Sequence, residues 1–406
     1  MISPVEKWVS EATGLHEKLN PSALLTWQLE KLEEQIEYAR RNSRFYRKKL
    51  PPSGPWENVP FTTITNLVND SYEFLAVPQS EVVRVTTLPL PGFSEIKKRV
   101  FFTKKDLERT IDFFSAGMST MVSRGGHVQI LISSNSENSL GRLLKESLLR
   151  VGVSSGIPEK LTSVNQALKA SKGADCLVGM PAEIYYMSKI DRKLCPGSVL
   201  LTADYVPRSV IESIREIWKC NIFTHYGHTE LGFGCAVDCV RHDGLHTRVA
   251  DHFIEIISPE TGKHVQNGET GEIVITTLQN EAMPLIRYRA GDLSGIIERP
   301  CACGSSLHRL KRIEGRIENR ITLGSDRTVS IHQLDELVFA DPAVRGYQAF
   351  MSGNPDQPEV HLAIDSAGHV DTEGLQQALP PGLGLRVSYT ACDPFNNRGK
   401  RRIQVE

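Results

Sequence analysis

Between residues 22 and 49 the apolar positions Leu25, Leu29, Leu32, Ile36 and Ala39 are spaced 4, 3, 4 and 3 apart, with Glu, Lys and Arg filling the other face. That period predicts one amphipathic helix packed against a core. A second helix is expected from Thr103, where Thr-Lys-Lys-Asp has the form of a capping box, through Leu107, Ile111, Phe114 and Met118. From residue 128 the pattern alternates. VQILI (128–132), CLVGM (176–180), SVLLT (198–202) and NIFTHYG (221–227) are short apolar runs of strand length. Helical stretches lie between them: around 138–150, PAEIYYMSKI with proline in its first turn, and PRSVIESIREIWKC. Strands joined by helices imply parallel pairing, so the expected fold class is α/β with a doubly wound, mostly parallel sheet. Such sheets bind ligands beyond the carboxyl ends of their strands, where the loop HYGHTE falls.

Residues 244–299 read differently, as a turn-rich, β-rich subdomain with HFIEII and GEIVITT as strands. After GRIEN (315–319), VHLAI, a helical DTEGLQQAL and LRVSYT predict a small α+β module. The expected division is a large domain over 1–315, its β-rich part about 240–315, and a small mobile domain over 316–406, hinged near 315–320.

Composition narrows the function. With 47 Lys+Arg against 48 Asp+Glu, no global field draws the chain to nucleic acid or an anionic membrane. No apolar run approaches the ~18 residues of a membrane span, and MISPVEKWVSEATG lacks the apolar core of a signal peptide. Eight cysteines in 406 residues are too few for a disulfide scaffold, so reduced thiols and a cytoplasmic location are expected. No Gly-x-Ser-x-Gly elbow is present, which argues against a serine hydrolase.

Four sparse signals follow one another: YGHTE (226–230), RYRAGDLS (287–294), RIEGRIEN (312–319) and NRGKRR (397–402). Singly, they read as a polar turn, a surface loop, a linker and a basic tail. In that order the chain resembles the adenylate-forming acyl-CoA synthetase superfamily, in its phenylacetate–CoA ligase branch, which includes the coenzyme F390 synthetases. WQLEKLEEQIEYARRNSRFYRKKL with VPFTTITNL, LLTADYVPRSVIESIREIW, GLHTRVADHFIEII and CACGSSLHRLKRIEGR resemble the same branch and extend the likeness over most of the chain.

The resemblance implies an AMP-forming ligase that activates an aryl or arylacetic acid with ATP and passes it to CoA. It implies that Thr229 bonds a phosphate and Glu230 holds Mg²⁺. Tyr226, with Gly227 beside it, would lie near the adenine. Asp292 and Arg316 would hold the ribose, with Glu318 at the hinge position. Lys400 would bridge the substrate carboxylate and the α-phosphate. Activation of a carboxylate this way is mainly positioning and charge stabilisation. His225 and His228 are expected as pocket wall or satisfied polar residues. Adenylyl transfer to another acceptor, or a non-catalytic binding protein, are the alternatives.

One departure from the family bears on all of this. Where the family has a Gly/Ser/Thr-rich phosphate loop, residues 84–103 read RVTTLPLPGFSEIKKRVFFT, with one glycine and two prolines. Proline donates no N–H, so backbone cradling of phosphates is not reproduced there, and Lys97 and Lys98 are the candidate replacements in charge. Separately, Cys239, His246, Cys301 and Cys303 form a candidate Cys₃His zinc set, with Cys235 or His242 able to replace one of the first two. Small-molecule acid, ATP and CoA are the expected partners, and the N-terminal helical region could support a homodimer.

Overall fold

The computed structural model describes residues 3–16, 19–90, 93–132, 139–317, 320–323, 327–354, 357–396 and 398–405. They divide into two compact units, one of Met1–Ser123, Ser136–Gly152 and His225–Glu314, the other of Arg124–Asn135, Val153–Thr224 and Gly315–Glu406.

The second unit holds the parallel strands that the apolar runs predict, and one more, Ser154–Gly156, that they do not. His127–Ile130, Ser154–Gly156, Cys176–Gly179, Ser198–Leu201 and the start of Asn221–Tyr226 run parallel, with His127–Ile130 between Ser154–Gly156 and Cys176–Gly179. Cys176–Gly179 and Ser198–Leu201 are buried along their whole length, as strands covered on both faces must be. Their connections include the helices Pro181–Ile190, which has proline in its first turn, and Arg208–Trp218, which ends at Lys219 in a left-handed conformation. The C-terminal segment forms a four-stranded sheet. Val344–Asn354 pairs antiparallel with Gln357–Ser366, and Gly384–Tyr389 and Ile403–Val405 flank this pair in parallel. One apolar core joins both parts of the unit: Leu177, Ile184, Tyr185 and Met187 share it with Leu334, Val338, Phe339 and Tyr347. The Tyr185 hydroxyl donates to the Val344 carbonyl at 2.8 Å, so the ring buries its area without orphaning its polar end. Residues 316–406 thus share a core with the 153–224 segment. The chain passes between units at Glu314/Gly315, and Glu318 lies outside the described residues.

In the first unit the expected 22–49 helix is two, Pro21–Asn42 and Arg44–Lys49. Ser43 breaks it. Its backbone is extended, its hydroxyl accepts from the Tyr46 amide, and it donates to the Glu73 carbonyl at 3.0 Å. The buried face is also rotated from the expected one. Leu25 is 49% exposed, while Leu24, Gln28, Leu32, Gln35, Ile36 and Ala39 face inward. Two glutamines belong to that face because their amides serve carbonyls: Gln28 those of Val249 and His252, Gln35 that of Asn280. The Thr103 capping box forms as expected and starts the helix Lys104–Met118.

In the 84–103 stretch, Arg84–Leu90 pairs antiparallel with Phe93–Phe102 as a hairpin. His252–Ile257, Gly271–Thr277 and Tyr288–Ser294 form an antiparallel meander, and Tyr226 leads into short strands at Ala236–Val237, Leu245–Thr247, Arg309–Leu310 and Ile296–Ile297. Among the described residues no helix is long and apolar enough to cross a membrane.

Candidate active site

The end of the Asn221–Tyr226 strand and the Tyr288–Ser294 strand, far apart in sequence, meet in one buried polar network of the first unit. His228 Nε2 hydrogen-bonds Asp292 Oδ2, and the Tyr226 hydroxyl donates to the same oxygen at 3.1 Å. Along the Tyr288–Ser294 strand Tyr288, Ala290, Asp292 and Ser294 are the buried alternate positions, so Tyr288 and Asp292 share a face. A register shift opposite Glu272–Val274 inserts extra residues around Gly291, whose φ of 74° needs no Cβ, and such bulges re-aim side chains. Tyr288 donates to Glu230 Oε1 at 3.1 Å.

Glu230 lies in the short turn Thr229–Leu231 and pairs with Lys98 from the hairpin. Burial opposes its ionisation, but the Lys98 ammonium and then His228 outweigh that and bring the carboxyl down to about 2. The turn itself is fixed from behind. Arg248 donates to the Gly232 and Gly234 carbonyls at 3.3 Å and pairs with Asp251, and Thr110 donates to Gly232 at 3.0 Å. Gly227 has no room for a side chain, since a Cβ there would meet the Phe233 carbonyl oxygen at 1.8 Å. His225 is buried, which pulls its imidazole down to about 4 and keeps it neutral at pH 7.

Glu230, expected from the resemblance to hold Mg²⁺, is therefore already engaged: one of its oxygens takes both an ammonium and a phenol. Magnesium is usually held by one or two carboxylates together with substrate phosphates and water, and a carboxylate already paired with a buried ammonium does not fit that role.

Cys239, His246, Cys301 and Cys303 each offer a ligand atom, all within 4.8 Å of one another. Cys239 Sγ and Cys301 Sγ are 3.7 Å apart. Two thiolates on one tetrahedral zinc at ~2.3 Å would be separated by about 3.8 Å. His246 Nε2 is 3.5 Å from Cys303 Sγ, and its buried Nδ1 has no hydrogen-bond partner. Burial, then Arg309, lowers this imidazole to about 4, leaving it neutral as a metal requires. The Cys301–Gly304 turn is closed by the Gly304 N–H on the Cys301 carbonyl at 3.0 Å, with Gly304 at φ 91°. Of the alternatives, Cys235 is not in the cluster, and His242 bonds Asp238 at 2.8 Å.

Arg316 and Lys400 belong to the second unit. Lys400 is exposed between two anchored arginines. Arg398 pairs with Glu183 and donates to the Leu131 carbonyl. Arg401 pairs with Asp335, donates to the Tyr347 carbonyl at 3.0 Å, and its amide bonds Asp204 at 2.8 Å.

No family profile matches the chain. It is 27% identical over 383 residues to a phenylacetate–coenzyme A ligase of Thermus thermophilus, covering 86% of this chain and 83% of that one. It is 26% identical to a phenylacetate–coenzyme A ligase of Aromatoleum evansii, over 93% of this chain and 92% of the other. A 2-hydroxyisobutyryl-CoA ligase in the postadenylation state, in complex with R3-HIB-AMP, superposes with a TM-score of 0.77 at 17% identity, over 94% of this chain and 89% of that one. The chain is a relative of the phenylacetate–CoA ligases, with the fold of the adenylate-forming superfamily.

In this ligase relative, the motifs YGHTE and RAGD had pointed to Tyr226, Gly227, Thr229, Glu230 and Asp292, and the first unit gathers them. Sequence reading did not single out Tyr288, Arg248 or Thr110 as support for the turn. Tyr288 sits within the quoted RYRAGDLS, and strand alternation from Asp292 would have found it. Arg248 and Thr110 carry no such signal. His228 is a satisfied polar residue, as expected.

Proposed function

We propose that the protein is an AMP-forming carboxylate–CoA ligase of the cytoplasm that activates an aryl or arylacetic acid. The observation that carries this reading is the buried junction of Tyr226, His228 and Asp292, built from residues 64 apart in the chain. A carboxylate with its orientation set by two donors is suited to accept hydrogen bonds from two ribose hydroxyls. In the reaction, an acid oxygen bonds to the α-phosphorus of ATP and pyrophosphate leaves. The CoA sulfur then bonds to the acyl carbon and AMP leaves. Thr229 contributes a hydroxyl to the phosphate, Tyr226 flanks the adenine, and Arg316 supports the ribose. Lys400 bridges the two anions during the first step. Magnesium enters as the counter-ion that ATP brings. Cys239, His246, Cys301 and Cys303 would hold a closed, structural zinc.

The test is pyrophosphate release from Mg-ATP with a panel of aryl, arylacetic and short aliphatic acids, then AMP release with and without CoA. Acid-dependent pyrophosphate with CoA-dependent AMP is expected. No release with any acid would remove the reading for those acids. In the same assay Asp292→Asn should raise KM for ATP by about 10- to 100-fold, the worth of hydrogen bonds to a charged acceptor. An unchanged KM would take Asp292 out of nucleotide binding.

The hairpin at 84–102, in place of a glycine loop, favours a second reading as an ATP-binding protein without ligase activity. Saturable nucleotide binding with no acid-dependent pyrophosphate would select it.

A further inference from the structure

The Lys98–Glu230 pair is built into the core of the first unit, with side chains only 7% and 4% exposed. Strand alternation puts Lys98 there: Lys98, Val100 and Phe102 are buried, while Lys97 and Arg99 are exposed. The hairpin register, Leu88 opposite Lys98 and Thr86 opposite Val100, fixes which of the two adjacent lysines turns inward. The ammonium donates to Oε1 of Glu230 and sets its full charge directly against the carboxylate. At hydrogen-bond distance in a water-poor site, it would repel a divalent ion strongly. The Tyr288 hydroxyl takes a second lone pair of the same Glu230 oxygen, at 3.1 Å.

We infer that the Lys98 ammonium is the fixed counter-cation of the Glu230 carboxylate, and that this carboxylate therefore does not ligate a divalent metal. The inference rests on the proposed adenylation site and deepens it: the Lys98–Glu230 pair is neutral as a whole, so the countercharge to the phosphates comes with the nucleotide and not from an ion held by Glu230. The strand brings the lysine here, because it holds its inward side chains at fixed positions.

The test measures metal directly, without turnover. Mn²⁺ uptake is followed by electron paramagnetic resonance of the free ion, with and without a non-hydrolysable ATP analogue. Wild type and Glu230→Gln are expected to bind the same equivalents at the same affinity. Lys98→Met is expected to gain a site at least about tenfold tighter than any the wild type holds beyond the nucleotide, lost again in Lys98→Met/Glu230→Gln. A wild-type Mn²⁺ site that Glu230→Gln removes would overturn the inference, as would a folded Lys98→Met that gains none. If either variant loses its native circular dichroism, the wild type decides through the ¹⁵Nζ resonance of Lys98, assigned with Lys98→Arg. Without nucleotide, a signal surviving excess Mn²⁺ upholds the inference, and one broadened away at stoichiometric Mn²⁺ overturns it. A protein that releases no pyrophosphate still answers this question, so failure of the ligase reading and failure of this one are distinguishable.

Discussion

Chelating zinc from the purified protein is expected to release one equivalent and to unfold or loosen the first unit. Three thiols and an imidazole crowded within 4.8 Å have poor reason to stay together without an ion. Burial, followed by the neighbouring thiols, pushes the Cys239 thiol up to about 12, whereas a bound cation would hold it as thiolate. The cluster ties Cys239 and His246, just beyond the YGHTE turn, to the Cys301–Gly304 turn more than fifty residues later. Structural zinc contributes roughly 10–16 kcal/mol of binding free energy in small domains, comparable to the ~5–15 kcal/mol by which whole proteins are stable. Cys303→Ser should therefore lose stoichiometric zinc and lower Tm by about 6–20 °C, taking roughly 3–5 kcal/mol lost and ~2–4 °C per kcal/mol for units of this size. Cys195→Ser, at an exposed cysteine, should change neither. Elemental analysis with a thermal melt decides it. A wild type that is metal-free as purified, and a Cys303→Ser variant that melts where the wild type does, would together mean that there is no zinc site.

Lys400→Ala is expected to reduce acid-dependent pyrophosphate release by about 10²–10³-fold, the scale of removing one aimed charge from a developing anion. The side chain is exposed, though its charge also favours the Asp204 carboxylate, so its loss should lower stability only modestly, by about 1 kcal/mol or less. That separates a chemical role from a structural one. Supplying ready-made acyl-adenylate and CoA bypasses the first step, and thioester formation by the variant should then fall within about tenfold of wild type. Equal losses in both half-reactions would mean that Lys400 does not act specifically in adenylation.

How far the sequence could be read depended on the range of the interactions. Strands such as Cys176–Gly179 were legible because burial on both faces writes an unbroken apolar run, whereas Ser154–Gly156, no residue of which is buried, writes none. Thr103 was legible because a capping box is a local hydrogen-bond pattern. YGHTE and RAGD named the network, yet nothing local says that His228 and Asp292 touch. Lys98 and Glu230 are 132 residues apart, and a lysine one position from another looks like any charged surface until the hairpin register is known. The helix break failed for a related reason. The periodicity of residues 22–49 continues through Ser43, and only the Glu73 carbonyl waiting for its hydroxyl shows why the chain turns there. Gln28 and Gln35 write no apolar signal on the buried face, since their partners are carbonyls more than two hundred residues away.

The arginines on either side of Lys400 give its position an arithmetic. It stands two residues after one tether and one residue before the next, with Arg398 held by Glu183 and Arg401 by Asp335. So short a span limits how far the lysine can stray from its tethers, since each residue adds at most ~3.3–3.6 Å of reach. The lysine's location is thus set by counting along the chain. A single glycine inserted after Gly399 would keep every side chain and both tethers, yet deliver the ammonium to a different place. Activity lost to that insertion, in a protein that melts as the wild type does, would be a frameshift in space rather than in sequence.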